Sequence, residues 1–154
     1  MGLYRFKQIE HNVVEYIPLL IEKLKTDENI VAVYLFGSYA ESKQTPVSDI
    51  DLAVLLDRDF PPGRYFEKKL ELLSIITQLL NTDEVDLAIL NQSPLALSYR
   101  VLSKGRLLYE KENGKGQRVS FQVRTYDRYF DFKPIEKILH EGLTRRIKED
   151  RFGG

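Results

Sequence analysis

Two apolar runs separated by a short polar segment constrain the fold more than any other feature of the sequence. The first run covers residues 31–36 and stops at Gly37 and Ser38, and the second covers residues 52–56 and follows an Asp-Ile-Asp triplet. Short apolar runs bounded by Gly and polar residues are typical of buried strands. The pattern predicts a strand, a turn with a short helix that begins at Ser38, and a second strand.

The triplet places two carboxylates at the start of the second strand. Side chains alternate along a strand, so Asp49 and Asp51 should share one face, about 7 Å apart, while Ile50 points into the core. Two such carboxylates repel each other unless a positive charge lies between them. Mg²⁺ is usually held by one or two carboxylates plus substrate phosphates, and the pair therefore predicts a magnesium site.

Gly37 and Ser38 are candidates for the phosphate side of that site. Glycine allows a close backbone approach, and the N-terminus of a helix beginning at Ser38 would present free N–H groups to an anion. Each half also has an ordinary interpretation, because Gly-Ser after a strand is a common turn and Asp-x-Asp is often only solvated. The combination at this spacing is more specific than either half.

The Gly-Ser pair at 37–38, followed after ten residues by Asp-Ile-Asp at 49–51, resembles the signature of the DNA polymerase beta-like nucleotidyltransferase superfamily. Within it, residues 48–54 are similar to the minimal nucleotidyltransferases, the MNT-domain antitoxins that pair with HEPN-domain toxins. The resemblance covers about residues 10–110. It implies a nucleotidyltransferase fold of the α/β (α+β) class, with a mixed sheet flanked by helices and a C-terminal helical tail.

A third carboxylate is expected on residues 84–90, a third strand in which Asp86 precedes an apolar run. Asp86 could be only the polar end of that strand, but the superfamily places its third carboxylate beside Asp-x-Asp. The resemblance then implies a metal and catalytic set that would hold two Mg²⁺ ions, formed by Asp49, Asp51 and Asp86. It implies ATP as the substrate, bound by Gly37, Ser38 and Lys43.

The segment after Gly-Ser departs from the family pattern. Many relatives carry a basic residue and Gly there, whereas this chain has Glu41 and Ser42. The positive charge near the triphosphate is then missing unless Lys43 supplies it.

The resemblance implies that the chain is the antitoxin of a type VII-like pair, which transfers AMP from ATP to a tyrosine of a cognate HEPN RNase toxin in a hetero-oligomer. Two alternatives stay open: an aminoglycoside-like small-molecule nucleotidyltransferase, and a non-catalytic antitoxin that neutralises by binding. The chain is not itself the toxin, because the pattern of Arg, four residues and His-x-Tyr is absent, and Glu141 and Gly142 follow His140.

Composition limits the remaining function classes. The 154 residues suit one core, and 23 basic against 23 acidic residues leave no net field that would attract nucleic acid. No cysteine is present, and no apolar run approaches the roughly 20 residues that span a bilayer. We expect a soluble, cytoplasmic protein without membrane or direct nucleic-acid contacts.

Apolar spacing predicts the other elements. Amphipathic helices are expected at residues 7–26 and 64–80, the second with a core stripe through Phe66 and Leu70. The remaining expectations are a helix capped by Ser93 that ends at Gly105, a strand at 106–109, a loop at 110–116, a helix from about Val119, a break near Pro134 and a helical piece at 135–148. The predicted division is a nucleotidyltransferase domain, 1–110, and a helical extension, 111–154, that packs on the core or on a partner.

Overall fold

The computed structural model describes the backbone of residues 13–40 and 49–152, and the side chains of residues 14–40, 49–132, 139, 141 and 142. The strands within this part of the chain are β1 (Ile30–Phe36), β2 (Ile50–Leu56), β3 (Val85–Ile89) and β4 (Arg106–Glu110). The helices are α1 (Ile17–Leu24), α2 (Tyr65–Leu80), α3 (Leu95–Lys104) and α4 (Lys115–Phe152). Short 3₁₀ turns cover Val13–Tyr16, Pro62–Arg64 and Leu90–Gln92.

The strands form one mixed sheet in the order β3-β2-β1-β4. Strand β1 pairs antiparallel with both β2 and β4, whereas β2 and β3 are parallel and are connected through α2. A parallel pair requires such a crossover, because its two strands must begin at the same end of the sheet. The mixed sheet with its helices confirms the predicted α/β fold class.

Both faces of the sheet are covered, which explains why β1 is buried along its whole length. Leu52 and Val54 of β2 point to one face and pack in a cluster with Leu72 and Ile76 of α2. The alternate residues of β2 point to the other face, where they join Val101 of α3. This second face also carries the carboxylates described below.

The expected core stripe of α2 is wrong at two positions. Phe66 and Leu70 are 72% and 52% exposed, and the buried face instead contains Leu72, Ile76 and Leu80. One turn before Leu72, that face continues with Lys68, which is only 7% exposed. The Lys68 ammonium forms an ion pair with Asp27 and lies over the ring of Phe60, and these contacts compensate the burial of its charge.

The structure also corrects the predicted start of α3. Pro94 directly precedes the helix and no side chain caps it, because the Ser93 hydroxyl donates a hydrogen bond to the Ile89 carbonyl instead. The helix ends at Gly105 as predicted.

The C-terminal helix is longer than expected. It begins at Lys115 rather than near Val119, which shortens the predicted loop, and it continues through Pro134 as one helix of 38 residues. The predicted break is therefore wrong. A proline removes one backbone donor and strains one turn, but the residues on either side keep their own helical hydrogen bonds.

The first half of α4 packs on the same sheet face as α3. Phe121 contacts the apolar cluster of that face, and Thr125 is buried. The ring of Tyr129 stacks on Tyr99 of α3 with 3.8 Å between centroids, and Phe130 meets the same ring edge-on. The division of the chain at residue 110 stays a prediction. No helix in the described residues is long and apolar enough to span a membrane.

Candidate functional site

Strand pairing brings two of the three predicted carboxylates together. Asp51 pairs with Asp86 in the parallel register of β2 and β3, and Phe36 pairs with Asp51 in the antiparallel register of β1 and β2. Paired residues of neighbouring strands lie about 5 Å apart and point to the same face. Ile50 is 1% exposed and belongs to the apolar cluster on the opposite face, as the alternation predicted.

The turn after β1 packs directly against one of these carboxylates. Gly37 has a φ of +72°, a left-handed conformation that side chains other than glycine rarely adopt. A Cβ at this position would lie 2.1 Å from Oδ2 of Asp51. Glycine is therefore required twice, for the backbone conformation and for the space that the Asp51 carboxylate occupies.

The carboxylates interact electrostatically. The pKa of Asp51 is raised to about 6, mainly by burial and then by the negative charges of Asp86 and Asp49, while the positive charge of Arg100 opposes the rise. Burial also raises the pKa of Glu84, with contributions from Asp49 and Asp83. This edge of the sheet is thus rich in negative charge and favours a bound cation.

Glu84 is a member of the acidic edge that sequence reasoning missed. Its backbone carbonyl accepts a hydrogen bond from the Ile50 N–H at 3.0 Å, so it stands level with the start of β2, next to Asp49. The signal available in the sequence was the acidic pair at 83–84 directly before the third strand.

The side chains present fit a magnesium ion that completes its coordination with phosphate. Among the described residues, no group of three or more His, Cys, Asp or Glu side chains lies together in a way that could hold a metal ion. Asp51 and Asp86 form a close pair, and Asp49 is exposed just before β2. One or two carboxylates together with substrate phosphates are the usual ligands of Mg²⁺. The roles of Asp49, Asp51 and Asp86 stay predictions.

The predicted nucleotide-binding residues are only partly described. Gly37 and Ser38 lie in the turns of residues 37–40 that follow β1. Residues 38–40 therefore form turns rather than the start of the helix that was expected at Ser38, and the segment that continues with Glu41, Ser42 and Lys43 lies outside the described residues.

A pocket of about 460 Å³ opens beside the carboxylate pair and follows the edge strand β3. Its walls are Phe36, Ala88 and Leu97, and its polar lining includes two cations, Arg100 of α3 and Lys69 of α2. Both cations were missed in the sequence. They lie on helices far from the motif, and only the packing of α2 and α3 on opposite faces of β3 brings them to one pocket.

The raised pKa of Asp51 predicts a pH dependence of stability. Between pH 3.8, the ordinary pKa, and about 6, the folded state holds a proton on Asp51 that the unfolded chain releases. Because the folded state binds more protons in this range, the contribution of Asp51 to the free energy of unfolding falls as pH rises. Above about pH 6 this contribution is constant.

We expect Asp51→Asn to remove this fall. The melting temperature of the variant minus that of the wild-type protein should then increase from pH 4 to pH 6 and level off above. Melts in the absence of divalent ions across this range measure the difference. A difference that is constant with pH would contradict the assignment of the raised pKa to Asp51.

The chain matches a known protein family and a named relative. A family model described as polymerase beta, nucleotidyltransferase matches residues 19–114. A protein of Methanocaldococcus jannaschii named "Putative protein adenylyltransferase" is 39% identical over 64 residues. The match covers 42% of this chain, and the chain spans 61% of the length of that relative.

Solved structures with a similar fold come from toxin–antitoxin complexes. One chain of a toxin–antitoxin structure with AMP-PNP is 24% identical, with 87% of this chain and 99% of that chain covered and a TM-score of 0.64. One chain of a complex between a tri-AMPylated Shewanella oneidensis HEPN toxin and an MNT antitoxin is 22% identical, with 86% and 99% covered and a TM-score of 0.62. At these identities the likeness shows the fold. The family resemblance recognised in the sequence is confirmed.

Proposed function

Because the chain belongs to the polymerase beta nucleotidyltransferase family, we propose that it transfers AMP from ATP to a hydroxyl group of a HEPN-type toxin and so acts as an antitoxin. The observation that carries the proposal is the in-register pair of Asp51 and Asp86, with Gly37 packed against the Asp51 carboxylate. The similarity to chains of toxin–antitoxin complexes supports a HEPN partner and a hetero-complex. A tyrosine of that toxin is the proposed acceptor.

The proposed reaction forms one bond and breaks one. The acceptor oxygen bonds to the α-phosphorus of ATP, the bond from that phosphorus to the bridging oxygen of the β-phosphate breaks, and pyrophosphate leaves with the bonding electrons. Asp86 accepts the proton of the attacking hydroxyl. Asp51 and Asp49 would hold the Mg²⁺ ion whose positive charge attracts the triphosphate. Gly37 leaves room for the Asp51 carboxylate. Bound Mg²⁺ would supply charge neutralisation at the attacking and leaving oxygens.

One observation bears on the small-molecule alternative. Arg100 and Lys69 line the pocket beside the carboxylates, and positive side chains disfavour a polycationic acceptor such as an aminoglycoside. This observation weighs against an aminoglycoside-like acceptor.

Thermal melts and mass spectrometry test the proposal. Mg²⁺ and ATP together should raise the melting temperature more than the sum of their separate effects, because the carboxylates and the ATP phosphates would hold the metal together. Mixing the protein with MgATP and its cognate HEPN-type toxin should add multiples of one AMP unit to that partner. An unchanged melting temperature at millimolar MgATP, together with an unmodified partner, would refute the proposal.

A further inference from the structure

The functional groups follow a fixed order across the sheet. Gly37 lies at the end of β1, Asp51 is next to it on β2, and Asp86 is next on the edge strand β3. The pocket of about 460 Å³ borders this carboxylate pair, and most of its lining belongs to β3 and the segment that follows it, while Phe36 of β1 also contributes. Gly37 is not part of the lining, so the pocket lies mainly on the β3 side of the carboxylates.

In an in-line displacement, this order determines the side from which the acceptor must approach. The attacking and leaving oxygens lie on opposite sides of the phosphorus. If the triphosphate is held at the Gly-Ser turn, as the proposed function has it, pyrophosphate leaves on the β1 side and the attacking hydroxyl must approach from the β3 side. Most of the lining residues of the pocket lie on that side.

We propose that the pocket along β3 is the acceptor subsite, and that Arg100 and Lys69 make it select hydroxyl acceptors that carry an anionic group close by. The proposal rests on the proposed function and deepens it, since it names the chemistry of the acceptor. Arg100 and Lys69 act as positioning residues, because they would touch the anion of the acceptor rather than the reacting phosphorus.

The two cations are not used by contacts within the described part of the fold, although the charge of Arg100 acts on Asp51 and lowers its pKa. Neither side chain forms a hydrogen bond or an ion pair with another residue in the part of the chain that the structure describes. They approach the pocket from the two faces of the sheet, Arg100 from α3 and Lys69 from α2. When divalent cations neutralise Asp51 and Asp86, the positive charges of Arg100 and Lys69 remain for a ligand.

The walls of the pocket suit an aromatic ring. Phe36, Ala88 and Leu97 provide apolar surface directly beside the carboxylate pair. A pocket of this size and composition is typical of sites that enclose a small organic group and orient it with a few polar contacts. A phenolic ring against these walls would bring its hydroxyl toward Asp86 and place neighbouring groups within reach of the cations.

Two sources could supply the anion. One is a carboxylate beside a tyrosine in the acceptor peptide, and the other is the phosphodiester of an AMP unit already attached, whose ribose hydroxyl then becomes the next acceptor. In both cases the shared chemistry is an anion close to the attacking hydroxyl, bound by charge-assisted hydrogen bonds. A second transfer has the same atom balance as the first and again releases pyrophosphate.

Binding of three small probes tests the proposal in the presence of Mg²⁺ and a non-hydrolysable ATP analogue. The probes are N-acetyl-tyrosinamide, the same compound with AMP esterified to its phenolic oxygen, and an Asp-Tyr-Asp peptide. Arg100→Gln and Lys69→Gln should each weaken binding of at least one anionic probe by about tenfold, the typical effect of losing a charge-assisted contact. Binding of N-acetyl-tyrosinamide and of the ATP analogue should change less than twofold. Lys104→Gln is the matched control, an exposed cation one turn further along α3 and outside the pocket lining.

The outcomes separate the possible explanations. A larger loss for the AMP-bearing probe identifies the phosphodiester as the anion, and a larger loss for the peptide identifies the carboxylate. Weaker binding of the ATP analogue would instead assign the cations to the triphosphate and overturn the proposal. Unchanged binding of all probes, in variants that still modify the toxin, would overturn it while leaving the proposed function intact. A wild-type protein that binds no ATP analogue would refute both.

Discussion

Replacing Asp49 and Asp51 together by Asn should lower AMP transfer by about a thousandfold or more, while the fold persists. Asn keeps the shape of the side chain but removes the negative charge that would hold the cation. Loss of a single preorganised electrostatic contact already reduces turnover by about 10²–10³-fold in other enzymes. Mass spectrometry of the toxin after incubation with MgATP measures the effect.

Stability should move in the opposite direction. Asp51 is held in a partly buried site where Asp86 and Asp49 repel its charge, and this repulsion opposes folding when no cation is bound. The melting temperature of the doubly substituted protein without divalent ions should therefore equal or exceed that of the wild-type protein. Asp127→Asn, an exposed carboxylate on α4, is the matched control and should alter neither property.

The same variant separates the two antitoxin mechanisms. Under the catalytic account, a protein that transfers no AMP leaves the toxin active. If the doubly substituted protein silences the toxin as well as the wild-type protein does, neutralisation occurs by binding alone and the catalytic account is wrong.

Replacing Gly37 by Ala should reduce both stability and activity. The left-handed φ of +72° disfavours a side chain, and the new Cβ would lie 2.1 Å from the Asp51 carboxylate oxygen. We expect a loss of about 1–3 kcal/mol in the free energy of unfolding, as is typical for strained backbone positions. Transfer should fall by about 100-fold or more, because the carboxylate must move away from its position.

Two further variants isolate the cause. Gly63→Ala is the control, since a Cβ at Gly63 would meet no atom within 4 Å and its φ is not in the left-handed region. Combining Gly37→Ala with Asp51→Ala removes the collision, so Gly37→Ala should cost less stability in the Asp51→Ala background than in the wild-type protein, while transfer stays absent. If the cost is the same in both backgrounds, the contact with Asp51 does not explain the loss.

Local patterns in the sequence were sufficient for the strands and for the carboxylates of the Asp-Ile-Asp triplet. Alternation along residues 49–51 determines that Ile50 is buried and that its acidic neighbours face the other way, because successive side chains of a strand point to opposite faces. The place of Asp86 beside Asp51 was expected from the family resemblance, and the parallel register of β2 and β3 agrees with it.

The helices were predicted less well, because their contacts depend on distant residues. The periodicity of α2 placed Phe66 and Leu70 on the core face, whereas the structure continues that face with Lys68, whose charge is paired with Asp27. Likewise, a proline predicts a break from local geometry, yet α4 continues through Pro134.

The pocket shows most clearly what required the folded structure. Local sequence indicated the Gly-Ser turn and the acidic strand ends, because each depends on residues that are neighbours in the chain. Arg100 and Lys69 carry no motif, and they meet at β3 only because α3 and α2 pack on opposite faces of the same sheet. Long-range packing of this kind joins residues that are far apart in sequence, so no local pattern in the chain records it.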